Sequence, residues 1–290
     1  MNKTAKKIST FAAAALMIQA LIYVVLSLLS SRIDLEDSVA AQYILFAAFS
    51  AVVNIVPAMI MKFFSEKTFG KAPARLPKTS AEKNDDILFT AGCAALVFAV
   101  GVIYGRIFPE AAANIPITAE TPFYIHILII LAVCAVPSVC EEIFFRRYIA
   151  NALAVSSNTA AVMISSLVFA LAHFSIWDFP RAFLAGLVFG ALYFKTKSVI
   201  HAIAAHFFCN FTTYLFICAK TVMPSEAYNT FEMVSTATFI AVAVATAIIY
   251  LKSKTSRKRG ADGKADASSL ITPAMIVYIV AAGLIIVFYR

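Results

Sequence analysis

The chain has 290 residues, 61% of them hydrophobic and 14% charged, with a mean hydropathy of +0.85. A soluble domain carries nearer a quarter charged and under half apolar residues, so a water-soluble globular protein is excluded and a polytopic membrane protein is indicated. The formal net charge of +8 sits between the apolar segments, where it reads as a topology signal and not as a nucleic-acid surface.

A spanning helix needs about 20 apolar residues. In chain order the qualifying segments are Ile8–Leu29, Tyr43–Phe64, Ile87–Ile107, a long one from Phe123 to Leu153, Thr159–Phe174, Phe183–Phe194, Val199–Cys218, Phe231–Leu251 and Leu270–Tyr289. They predict an all-α fold, a polytopic transmembrane helix bundle of about 8–9 membrane helices. No internal repeat is visible, so residues 1–290 read as one integral membrane domain. The leader with Lys3, Lys6 and Lys7 resembles a signal peptide, but the apolar run behind it is too long for one and reads as a retained first helix.

With the N-terminus cytoplasmic, 19 of the 24 Lys and Arg fall on the inside, leaving Arg32, Arg106, Arg181, Lys220 and Arg290 outside. That split alternates correctly at every loop and predicts a multi-pass protein of the inner (plasma) membrane. Residues 65–86 and 252–268 are then cytoplasmic loops. Five cysteines, all within apolar segments, make neither a disulfide framework nor a zinc-type spacing.

Polar residues inside the apolar segments are few. Glu141 and Glu142 follow some fifteen apolar residues and precede Arg146 and Arg147. A charge at membrane depth costs about 2.5–3.5 kcal/mol, so it persists only when paired, watered or functional. Glu142 and Arg146, at i, i+4, form a structural ion pair, and Glu141 is left free. Phe169 and His173 share one helix face, and His206 and Asn210 another. At about 1.5 Å per residue, Glu141, His173, His206 and Asn210 lie roughly 12–24 Å from the cytoplasmic ends of their helices, in one layer expected to open toward the cytosol. His126 and His201 read as interfacial or snorkelling residues. Gly186 and Gly190 suit close helix packing.

A carboxylate and a histidine sharing a water can deprotonate it and later protonate a leaving group, while a second histidine and an amide hold an oxyanion. The chemistry this suggests is hydrolysis of an amide bond within the membrane. Proton relays use similar residues, so a proton-coupled transporter is one alternative, and a non-catalytic membrane scaffold is another.

The motifs Glu141-Glu142-Ile-Phe-Phe-Arg146, Phe169-Ala-Leu-Ala-His173 and His206-Phe-Phe-Cys-Asn210, in that order, resemble those of the CPBP intramembrane proteases. That family comprises the type II CAAX prenyl endopeptidases and the bacterial bacteriocin-processing and immunity (Abi) relatives. The resemblance covers a catalytic core over residues 123–218. It implies Glu141 as the base activating water with His173, His206 and Asn210 holding the water or oxyanion, and a membrane-embedded or lipidated peptide or protein as partner beside the lipid bilayer. Although such proteases are often labelled metalloproteases, no cofactor is favoured. Zinc is possible on Glu141, His173 and His206, a His₂Glu set. Zinc there would occupy Glu141, leaving as base only Glu142, already paired to Arg146, and no His-Glu-x-x-His pair exists.

Overall fold

The computed structural model describes residues 3–33, 38–69, 80–111, 115–155, 157–254 and 271–288, and among these it is helical with no strand. The helices are α1 (Lys3–Ser30), α2 (Val39–Phe69), α3 (Ser80–Ile107), α4 (Phe123–Leu153), α5 (Asn158–Leu171), α6 (Phe179–Thr196), α7 (Val199–Val222), α8 (Ser225–Lys254) and α9 (Pro273–Phe288). Six of them, α1 to α4, α7 and α8, are long and apolar enough to cross a membrane. The protein is a polytopic membrane helix bundle.

Helix α5 is shorter. Its 14 residues rise about 21 Å, against a hydrocarbon core of about 30 Å. The sequence carried this segment on to Phe174, yet the helix ends at Leu171 and the chain turns away through Phe174 at φ 49°. The expected loop over 65–86 is also shorter, because α2 runs on to Phe69 and α3 begins at Ser80. Polar residues at a helix end lower its hydropathy without breaking the helix. Residues 70–79 and 255–268, the remainder of the two expected loops, lie outside the described residues.

Two contact sets define the ends of the bundle. At one end Lys195 Nζ, at the finish of α6, lies 3.6 Å from Asp86 Oδ1 at the start of α3 and sits over the rings of Phe89 and Tyr250. Lys83, at the start of α3, and Lys252, near the end of α8, lie at this basic end. At the opposite end Arg106 pairs with Glu232, and the Tyr104 hydroxyl donates to the Trp177 carbonyl at 3.0 Å.

Small residues set the closest approach inside the bundle. A Cβ on Gly186 would stand 3.0 Å from Cα and Cβ of Ser166, and one on Gly190 would stand 3.2 Å from Cγ1 of Val162. Gly186 and Gly190 therefore let α6 lie against α5. Between α1 and α2 the Gln19 amide donates to Asn54 Oδ1 at 3.0 Å in a buried contact, a polar link of the kind membrane bundles use in place of hydrophobic attraction.

Helix α4 is irregular. Two wider π-helical stretches, Ile130–Ala135 and Ile143–Ala150, flank a short α-helical stretch, Val136–Glu142. Such bulges in a helix frequently accompany functional sites. Ser138, Glu141 and Glu142 all lie on the stretch between them.

Candidate active site

The site is built on α4, the end of α5 and α7. Glu142 is fully buried, and its two oxygens have different partners. Arg146 Nε donates to Oε2 at 2.8 Å, and His206 Nδ1 lies 3.0 Å from Oε1. Arg146 is equally buried, with its guanidinium 4.7 Å from the centre of the Phe169 ring. Its Nη1 and Nη2 find no hydrogen-bond partner among the described residues. Burying two such charges is costly, and only close pairing with added contacts offsets the desolvation.

His206 is 8% exposed and is stacked on Phe189 at 5.1 Å between ring centres. With Nδ1 held by Glu142, Nε2 is the nitrogen left for chemistry. As a neutral ring it accepts there, and as a protonated ring it donates.

His173 sits two residues beyond the end of α5. Its Nδ1 is 2.9 Å from the Phe169 carbonyl, one of the oxygens a helix end leaves without an intrahelical partner. Donation from Nδ1–H to that oxygen leaves Nε2 free in the same way. The two rings at i, i+4 are in contact, with centres 4.8 Å apart.

Asn210 Nδ2 donates to the Val133 carbonyl at 3.4 Å and to Ser138 Oγ at 3.5 Å, both long contacts that a better acceptor can replace. Ser138 in turn donates to the Cys134 carbonyl at 2.6 Å.

His173, His206, Asn210 and Phe169 line one cavity of about 710 Å³, whose wall continues along α7 through Thr213 and Ile217 to Lys220. Glu141 does not line it, which departs from the expected four-residue layer. Glu141 is half-buried and forms no hydrogen bond or ion pair among the described residues. It lies between Ser138, which contacts Asn210, and Glu142, which contacts His206.

Zinc does not fit the residues present. Among the described residues no three His, Cys, Asp or Glu side chains are grouped to hold a metal ion. The expected opening toward the basic end is also corrected. The cavity reaches Arg106, Arg181, Lys220 and Asn229 at the other end.

Two participants were not legible in the sequence. Ser138 is a fully buried hydroxyl one helical turn before the two glutamates, and that spacing was the available signal. Phe189 carried none, since one phenylalanine in an apolar helix looks like any other.

An all-helical membrane bundle with a buried Glu–Arg–His network against a polar-floored cavity defines the class. Residues 123–212 match the family model described as type II CAAX prenyl endopeptidase Rce1-like, and over that stretch the match supports the CPBP/CAAX protease family. No curated protein and no solved structure matches the chain.

Proposed function

We propose that this protein is an intramembrane endopeptidase that hydrolyses a peptide bond of a membrane-embedded or lipidated peptide or protein. The observation that carries the reading is the pair of histidines on one cavity wall, each with Nδ1 held and Nε2 left available. The family match supports the same reaction class.

Glu141 acts as the base. Glu142 already faces two cationic or proton-donating partners, whereas Glu141 has none among the described residues. A carboxylate without a partner at this depth persists only when it serves a function or meets water. To serve as base Glu141 has to turn toward the cavity, and catalytic contacts in a substrate-free site are often long before they close. Glu141 takes a proton from a water held by His173, and the hydroxide attacks the carbonyl carbon. Asn210 Nδ2 and protonated His206 donate to the oxyanion. The C–N bond then breaks as the proton on Glu141 passes through His173 to the leaving amine. Glu142 orients His206, and Arg146 neutralises Glu142.

The 19-to-5 distribution of Lys and Arg supports placement in the inner (plasma) membrane with the N-terminus and the basic stretches in the cytosol. Arg146, counted among those charges, is buried in its ion pair and Arg147 is exposed, so the bias rests on the loop residues. Mass spectrometry of membrane peptides from cells producing the wild-type chain or His173→Ala tests the activity. Cleaved peptides present only with the wild type are expected. Identical peptide sets from equal amounts of folded protein would contradict it.

A further inference from the structure

We infer that the active-site cavity opens on the extracytoplasmic side of the membrane, so that its substrates are peptide segments exposed at the outer face. The inference rests on the orientation just proposed and adds the direction of access, which the motifs do not give.

The cavity has a floor and a mouth. Its floor is His206 with Phe189 stacked on it. From His206 to Lys220 is 14 residues of α7, or about 21 Å of rise, and cavity wall accompanies that rise through Asn210, Thr213 and Ile217. At the far end the wall turns polar, with Arg106, Arg181, Ser225, Asn229 and Glu232. Arg106 is paired with Glu232 and Arg181 with Asp178, so these groups form an ordered polar rim.

Toward the basic end the same space is closed. Cys93, Leu192, Ala202 and Ala205, none more than 8% exposed, pack with Phe189 into one apolar cluster. Beyond this plug Lys195 lies against Asp86, Phe89 and Tyr250. A polar substrate segment entering from that end has to displace a packed core. From the other it meets a polar rim and a continuous wall. Lys83, Lys195 and Lys197, counted among the inside cations, are at the plugged end, and Arg106, Arg181 and Lys220, three of the five outside cations, are at the mouth.

The substrate class follows from that placement. The peptide bond has to be presented from the outer leaflet or the space outside it, as in an exported or membrane-anchored peptide. A lipidated C-terminus displayed only in the cytosol cannot reach His173 without crossing the bilayer.

The test uses the full chain in intact cells and a membrane-impermeant maleimide as probe. Asn229→Cys samples the rim, Thr213→Cys the wall and Asn84→Cys the basic end, each read against the unmodified chain, whose Cys209 lies on the same wall. Labelling of Asn229→Cys and Thr213→Cys, with Asn84→Cys protected until the cells are lysed, is expected. Labelling of Asn84→Cys in intact cells, or protection of Asn229→Cys, overturns the orientation. Labelling at Asn229→Cys with Thr213→Cys protected even after lysis overturns the open passage. None of these outcomes touches the hydrolysis reading, which is read by cleavage with purified protein.

Discussion

Glu142 lies 2.8 Å from Arg146 on its own helix and 3.0 Å from His206 on another, so one buried carboxylate ties α4 to α7. Removing either charged partner leaves the other buried and uncompensated. Glu142→Gln and Arg146→Gln should each lower stability by about 3–5 kcal/mol. Thermal unfolding in detergent measures this. The double variant Glu142→Gln/Arg146→Met should recover part of the loss, because no lone charge remains; equal or greater loss in the double variant would contradict the pairing.

Helices α5 and α6 approach so closely that a Cβ on Gly186 would press on the backbone of Ser166 at 3.0 Å. Gly186→Ala should cost about 1–3 kcal/mol through overpacking against Ser166. A Cβ on Gly283 would meet nothing within 4 Å, so Gly283→Ala should be neutral or stabilising by up to about 1 kcal/mol. The same unfolding assay reads both. A Gly186→Ala chain as stable as the wild type would contradict the close packing.

Metal independence is expected because no three potential ligands are grouped among the described residues. Purified protein dialysed against a strong chelator should keep both its cleavage rate and its unfolding temperature. Activity that falls with loss of stoichiometric zinc and returns on its restoration would replace the direct role of Glu141 with a metal-bound water.

Asn210 is held by two long hydrogen bonds, at 3.4 and 3.5 Å. Asn210→Ala should therefore cost little stability while lowering kcat by roughly 10²–10³-fold, as loss of one oxyanion donor does. Asn210→Asp, which keeps the size but offers acceptors, should be no better than alanine. A kcat unchanged in Asn210→Ala would remove this residue from the oxyanion role.

Hydropathy alone located the segments that became the nine helices named above, because each apolar run of spanning length has few other solutions. It failed at their polar ends, where α2 and α3 continue beyond the apolar run, and at α5, where His173 falls past the helix end. Glu142–Arg146 was legible because both residues occupy one helix face. The contact of Glu142 with His206, 64 residues away, was not, since helical spacing says nothing about which neighbour a face meets. The cavity's direction was hidden for a related reason. Depth along separate helices predicted one layer, of which His173, His206 and Asn210 share a cavity and Glu141 does not, and the apolar plug on one side appears only when α3, α6 and α7 are packed together.

Glu141 as the base, acting with two histidines whose Nδ1 atoms are held, is the central proposal. The direct measurement is cleavage of a fluorogenic membrane peptide by purified wild-type and Glu141→Gln protein, with the unfolding temperature of each recorded. A Glu141→Gln chain that unfolds as the wild type does but shows no turnover is the predicted result. Wild-type turnover by that folded variant would contradict the assignment.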